Sequence, residues 1–121
     1  MAFEALTSAV ESRLKELGYF PWDSGGGERH GALEWVWTQR SGSIRLYVTM
    51  AIIEPAKDEY EVEVWAGASD GTRRKRILVG RSLLRDSPDS HVAEVLQRVQ
   101  DATAQAWEIV KNGLEEPLLR Y

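Results

Sequence analysis

Ile44-Arg45-Leu46-Tyr47-Val48-Thr49-Met50-Ala51-Ile52 places an apolar residue at every second position, with Arg45, Tyr47, Thr49 and Ala51 between them. A period of two sustained over so long a run marks a strand with one face in a core and the other outside it. It is the longest such run in the chain and is expected to lie centrally in a sheet. Pro55 and the polar residues up to Glu59 end it, because proline cannot donate to a ladder.

The same period continues on both sides. Upstream, Leu33, Trp35 and Trp37 alternate with Glu34, Val36 and Thr38, and Ser41-Gly42 supplies a turn. Downstream, Tyr60, Val62, Val64 and Ala66 define a third strand. Asp70-Gly71 is a strong hairpin signal, after which a fourth strand is expected from Arg73 to Leu83. Read as two-residue turns, these pair Trp37 with Leu46, Trp35 with Val48, Val64 with Ile77 and Val62 with Val79. The apolar set then falls on one face throughout, as one buried face requires. The connection between the second and third strands needs an odd-length loop or a bulge.

The period changes at both ends of the chain. Phe3, Leu6, Val10, Leu14 and Leu17 recur at steps of three and four, predicting a helix over 3–17 that Gly18 caps. Tyr19, Phe20, Pro21 and Trp22 follow, where aromatic bulk is expected to fold back on the helix end, and 23–31 reads as a polar, glycine-rich loop. Val92, Val95, Leu96, Val99, Ala102, Ala106, Ile109 and Val110 predict a second helix over 88–112, with Ser87 or Ser90 as its cap and Gly113 closing it. A tail, 113–121, follows. The fold class is therefore α+β: a two-layer, four-stranded antiparallel meander (α-β-β-β-β-α), both helices on one face of the sheet.

With 121 residues the chain makes a single domain that buries about two-thirds of its unfolded surface. The 43% of hydrophobic and 28% of charged residues are those of an ordinary globular protein. No run is apolar enough for a membrane span, so a soluble protein is expected. The chain has no cysteine, which excludes disulfides, thiolate metal sites and cysteine nucleophiles and fits a reducing cytoplasm. Its net charge of -4 argues against general polyanion binding, yet Arg73, Arg74, Lys75, Arg76, Arg81 and Arg85 are clustered with no acid among them.

Several motifs invite a chemical reading. Gly67-Ala68-Ser69-Asp70-Gly71 has the spacing of a hydrolase nucleophile elbow, but that motif needs a strand entering a helix in a parallel sheet, and a hairpin turn explains it better here. Gly25-Gly26-Gly27 with Glu28, Arg29 and His30 lacks the lysine and hydroxyl of a phosphate loop and reads as a connector. His30 and His91 are far apart in sequence and show no helical metal spacing. The basic cluster suits a nucleic acid or another anion, and equally suits an edge strand protected against aggregation.

The sheet face that both helices would leave open carries the strongest signal. There Val36 is expected opposite Tyr47, Thr49 beside Trp65, and Trp65 across from Arg76, close enough to stack a guanidinium on the ring. Glu61, Glu63, Arg45 and Arg74 would rim it, a composition typical of protein interfaces.

The function expected is thus that of a non-enzymatic interaction module, a small acidic adaptor or regulatory protein of bacterial type. Val36, Tyr47, Thr49, Trp65 and Arg76 would contact another protein or a second copy, as a homodimer. An immunity protein, an antitoxin or a secretion chaperone would fit, by composition and layout only. The alternative is nucleic-acid binding by the hairpin 73–85. No catalytic residue, cofactor, metal or membrane partner is expected.

Overall fold

The computed structural model describes residues 4–22, 27–29, 32–56, 59–84 and 91–112. The elements run α1 (Glu4–Glu16), β1 (Phe20–Pro21), β2 (Gly27–Arg29), β3 (Ala32–Ser41), β4 (Ile44–Ala56), β5 (Glu59–Ser69), β6 (Arg74–Leu84) and α2 (Val92–Asn112). The fold is α+β, and β3 to β6 form the expected antiparallel meander with β4 inside it.

The sheet has six strands rather than four, because two short segments add to the outer edge of β3. β1 pairs with Trp37 and Thr38, and β2 pairs with Ala32 to Glu34. The stretch 23–31, expected to be loop throughout, therefore contains a strand. Too short and too poor in side-chain pattern to show a period, both segments gain order only by bonding to an existing edge, which they protect.

Both tight hairpins differ from the expected register by two residues. Ser41 pairs with Ile44, so the turn is Gly42-Ser43, with Gly42 at φ 63°; Trp37 meets Val48 and Trp35 meets Met50. In the last hairpin Ser69 pairs with Arg74, which places Ala66 rather than Val64 opposite Ile77. The cause is Asp70, whose carboxylate accepts from the backbone N–H groups of Thr72 (3.0 Å) and Arg73 (2.7 Å) and so stabilises a longer loop. A shift of two preserves the facing of every side chain, so the expected core face survives.

Two irregularities change the pairing further. Between β4 and β5 the register shifts from Ile53–Glu61 to Ala56–Glu59, so of the two expected solutions, an odd-length loop or a bulge, the chain uses the bulge. The second is in β6, where Trp65 meets Leu78 but Val64 meets Gly80, leaving Val79 as an extra residue. Without it Arg81 would lie opposite Val62 on the core face. With it Arg81 emerges on the open face, while Gly80 and Ser82 turn toward α2.

One core joins the layers. Leu6, Val10 and Leu14 of α1 and Val95, Val99, Ala102 and Ala106 of α2 pack with Trp37, Leu46, Val48, Met50, Ile52, Val62, Val64 and Ala66 of the sheet. Full burial of each large aliphatic side chain stabilises the fold by roughly 1.5–3 kcal/mol. Gly18, at φ 88°, caps α1 as expected, and Tyr19 N–H returns to the carbonyl of Leu14 at 2.8 Å. Of the aromatics that follow, Tyr19 is buried, but Phe20 is 65% exposed and Trp22 leaves the helix end altogether. The tail and the capping residues Ser87 and Ser90 lie outside the described residues, and α2 is described from Val92. No described helix is long and apolar enough to cross a membrane.

Candidate binding groove on the open face of the sheet

Among the described residues no helix lies on the second face of the sheet, where a groove of about 560 Å³ runs across β4 to β6. Its floor follows from the ladder. One row across the strands reads Val36, Thr49, Trp65, Leu78, and the next reads Thr38, Tyr47, Gly67, Arg76. Gly67 has no side chain to fill the space between Tyr47 and Arg76, so the second row is hollow at its centre. A Cβ there would also approach the carbonyl oxygen of Lys75 to 3.0 Å.

Each wall of the groove carries a stacked arginine. On one side Trp22 N–H donates to the carbonyl of Val36 at 2.8 Å, which carries the indole over the sheet from the end of β1. Trp22 meets Tyr47 edge to face at 5.9 Å, and the guanidinium of Arg45 lies 5.1 Å from the Trp22 ring centre. On the other side the guanidinium of Arg76 lies 4.1 Å from the centre of Trp65, whose indole N–H donates to Glu63 at 3.2 Å. Such stacking holds a guanidinium by its face and leaves its N–H donors in the plane at the edge.

The two ends of this face differ in charge. At the hairpin end the register sets Arg40 opposite Arg45, Arg45 opposite Ser69, and Ser69 opposite Arg74. Among the described residues no carboxylate forms an ion pair with Arg40, Arg45 or Arg74. Arg73, next in the turn, is held by Asp70 at 2.9 Å. The bonds from Arg73 and Thr72 keep the Asp70 carboxyl well below the usual carboxylate range. At the opposite end Arg81 bridges Glu61 (3.2 Å) and Glu63 (2.9 Å), with Glu34 across the sheet.

Val36, Tyr47, Thr49, Trp65 and Arg76 all line this one groove, as do Arg73, Arg74 and Lys75. The residues expected at an interface and the start of the basic cluster, already sharing Arg76, lie on one surface. Individual pairings differ from expectation: Val36 lies opposite Thr49 and Tyr47 opposite Thr38, while Arg76 reaches Trp65 diagonally because Leu78 is its direct partner. Thr49 does face Trp65. The patch is smaller than the cluster suggests. Arg81 serves Glu61 and Glu63, Lys75 reaches the groove with its backbone carbonyl beside Gly67 while the register sets its side chain on the Ala68 side, and Arg85 lies outside the described residues.

Sequence reasoning missed Trp22 and the Arg40–Arg45 pairing. Trp22 carried no period to place it, and the arginine pair depends on a turn register that was two residues out. Ser69 ends β5 and accepts from Gly71 N–H at 3.1 Å, with a hairpin rather than a helix after it, so the nucleophile-elbow context is missing. His91 sits before α2, 3.7 Å from Glu94, and His30 lies outside the described residues. No protein-family model, curated protein or solved structure matches this chain.

Proposed function

We propose that the chain is a non-enzymatic interaction module that receives a segment of a partner protein in the groove on its open sheet face. The observation that carries this reading is the groove itself: half-buried Tyr47 and Trp65, with Trp22, around the hollow above Gly67. Aromatic and arginine side chains are the groups that supply most of the energy at protein interfaces, and a concavity between them gives a partner side chain a seat. The lack of cysteine suits work in the cytoplasm. Layout and composition agree with a small adaptor, immunity protein, antitoxin or secretion chaperone.

Selection of displayed random peptides on the wild type, counter-selected on a folded Tyr47→Ala, Trp65→Ala double variant, tests the reading. Enrichment of sequences that bind only the wild type supports it. Equal binding to both proteins would remove the groove as the interface.

A second reading, single-stranded nucleic acid, draws on the same observation, since aromatic rings beside arginines also stack bases. It predicts oligonucleotide binding that falls steeply with salt and with Arg74→Ala. A mobility shift insensitive to both would dismiss it.

A further inference from the structure

The open face is electrically divided, and the division says what kind of segment fits. Directly opposed like charges on neighbouring strands oppose folding, yet Arg40 faces Arg45. Across the sheet Arg74 continues the row beyond Ser69. Edge protection accounts for Arg74 and stacking on Trp22 for Arg45, but neither calls for Arg40 directly opposite Arg45 in a chain whose net charge is -4. An anion seated at Ser69 would relieve the repulsion, because Arg45 and Arg74 stand opposite Ser69 on the two neighbouring strands. Immediately beside that position lies the hollow above Gly67, walled by Tyr47 and Trp65.

We propose that the groove takes an acidic segment of a partner protein, in extended conformation, with an apolar or aromatic side chain over Gly67 and carboxylates toward Ser69, Arg45 and Arg74. This rests on the reading of the groove as a protein interface and names the chemistry of the partner. Nucleic acid is a poorer fit because a phosphate chain crossing the face would pass from the arginine row onto Glu34, Glu61 and Glu63. A second copy is also a poorer fit. Among the described residues, the acidic end of its open face has Glu61 and Glu63 already engaged by Arg81 at 3.2 and 2.9 Å.

The test is an array of short labelled peptides with a fixed central phenylalanine and flanks varied among glutamate, glutamine and lysine, read by fluorescence anisotropy. A dT oligonucleotide and light scattering of the protein alone complete it. Glutamate-flanked peptides are expected to bind at least about tenfold more tightly than their glutamine counterparts, a difference that Arg74→Glu abolishes. Arg40→Glu, at an exposed position, is expected to reproduce the loss and guards against a folding defect in one variant. Trp65→Ala should weaken all peptides alike.

Equal binding of glutamate and glutamine peptides, still lost in Trp65→Ala, would overturn the acidic assignment and leave the groove as an interface. Binding of dT alone, or of nothing in the array, would overturn both. A dimer that Arg74→Glu dissociates would hand the face to a second copy and likewise overturn the proposal.

Discussion

Leu46, Val48 and Met50 on one face of β4 are fully buried, whereas Arg45, Tyr47 and Thr49, one position along, keep part of their surface in water. Neighbours in sequence, they are held by different physics. The helix-covered face gains from removing aliphatic surface from water, an effect without direction that only requires the apolar set to be continuous. The open face is held by directed contacts: guanidiniums over indoles, an indole N–H on Glu63, and Arg81 between two carboxylates. Losses on the first face are therefore expected to unfold the protein, and losses on the second to leave it folded and, under the proposed function, to alter what it binds.

Leu46→Ala should break this contrast most visibly. With no exposed surface to rehydrate, the site leaves a cavity, and the expected loss is about 3 kcal/mol, read from the denaturation midpoint. Trp65→Ala on the other face should cost less, about 1 kcal/mol, since the ring is only half-buried and its stacking with Arg76 is modest. If the two losses prove equal, the open face belongs to the core and is no reserve for binding.

Tyr19 sharpens the contrast from within the core. Burial pushes its phenol up to about 12, from an ordinary 10.0, and among the described residues its hydroxyl has no hydrogen-bond partner. A raised folded value means stability that is intact below pH 10 and lost as pH climbs toward 12, by roughly 3 kcal/mol in full. Tyr19→Phe should flatten that alkaline fall and, by removing an unpartnered polar atom, raise stability at neutral pH by about 1 kcal/mol. Alkaline melts of both proteins that coincide would refute this.

Gly80→Ala probes the bulge. A methyl group there would run into the Arg98 side chain, whose guanidinium donates to Ser82 at 3.2 Å. Arg98 is flexible at that end, so the cost should stay near 1 kcal/mol, the worth of the displaced hydrogen bond.

The smallest effect is expected from Asp70→Asn. The carboxyl of Asp70 lies below its ordinary 3.8 in the fold, so its contribution is complete above that value and disappears as pH falls beneath it. The variant should thus be slightly less stable than wild type at neutral pH and indistinguishable in strong acid. A pH-independent difference would mean that the turn depends on shape and not on the charge of Asp70.

Much of this was legible in the sequence because a strand repeats every two residues. Both tight hairpins were placed two residues out, yet Leu46, Val48, Val62 and Val64 kept to the core and Tyr47, Thr49 and Trp65 to the open face, because only an odd shift exchanges faces. The three-four repeats likewise showed which sides of α1 and α2 face inward, through Leu6, Val10 and Leu14 and through Val95, Val99 and Ala106.

The site was legible only as residues. Tyr47, Trp65 and Arg76 could be assigned to one face, but the closing of a groove around them depends on Trp22, which arrives through a two-residue strand on the far edge of β3. The arginine row likewise depends on how the turns bring Arg40, Arg45 and Arg74 level.

The sequence by itself determined the order of helices and strands, the face each strand buries and the residues available to the open side. These rest on periodicity, which each segment carries alone. Tertiary structure decided the edge strands, the bulge that turns Arg81 outward, the arrival of Trp22 over the open face and the pairing of Arg40 with Arg45. Those depend on which backbone N–H and C=O groups meet across strands, and no single segment encodes both partners.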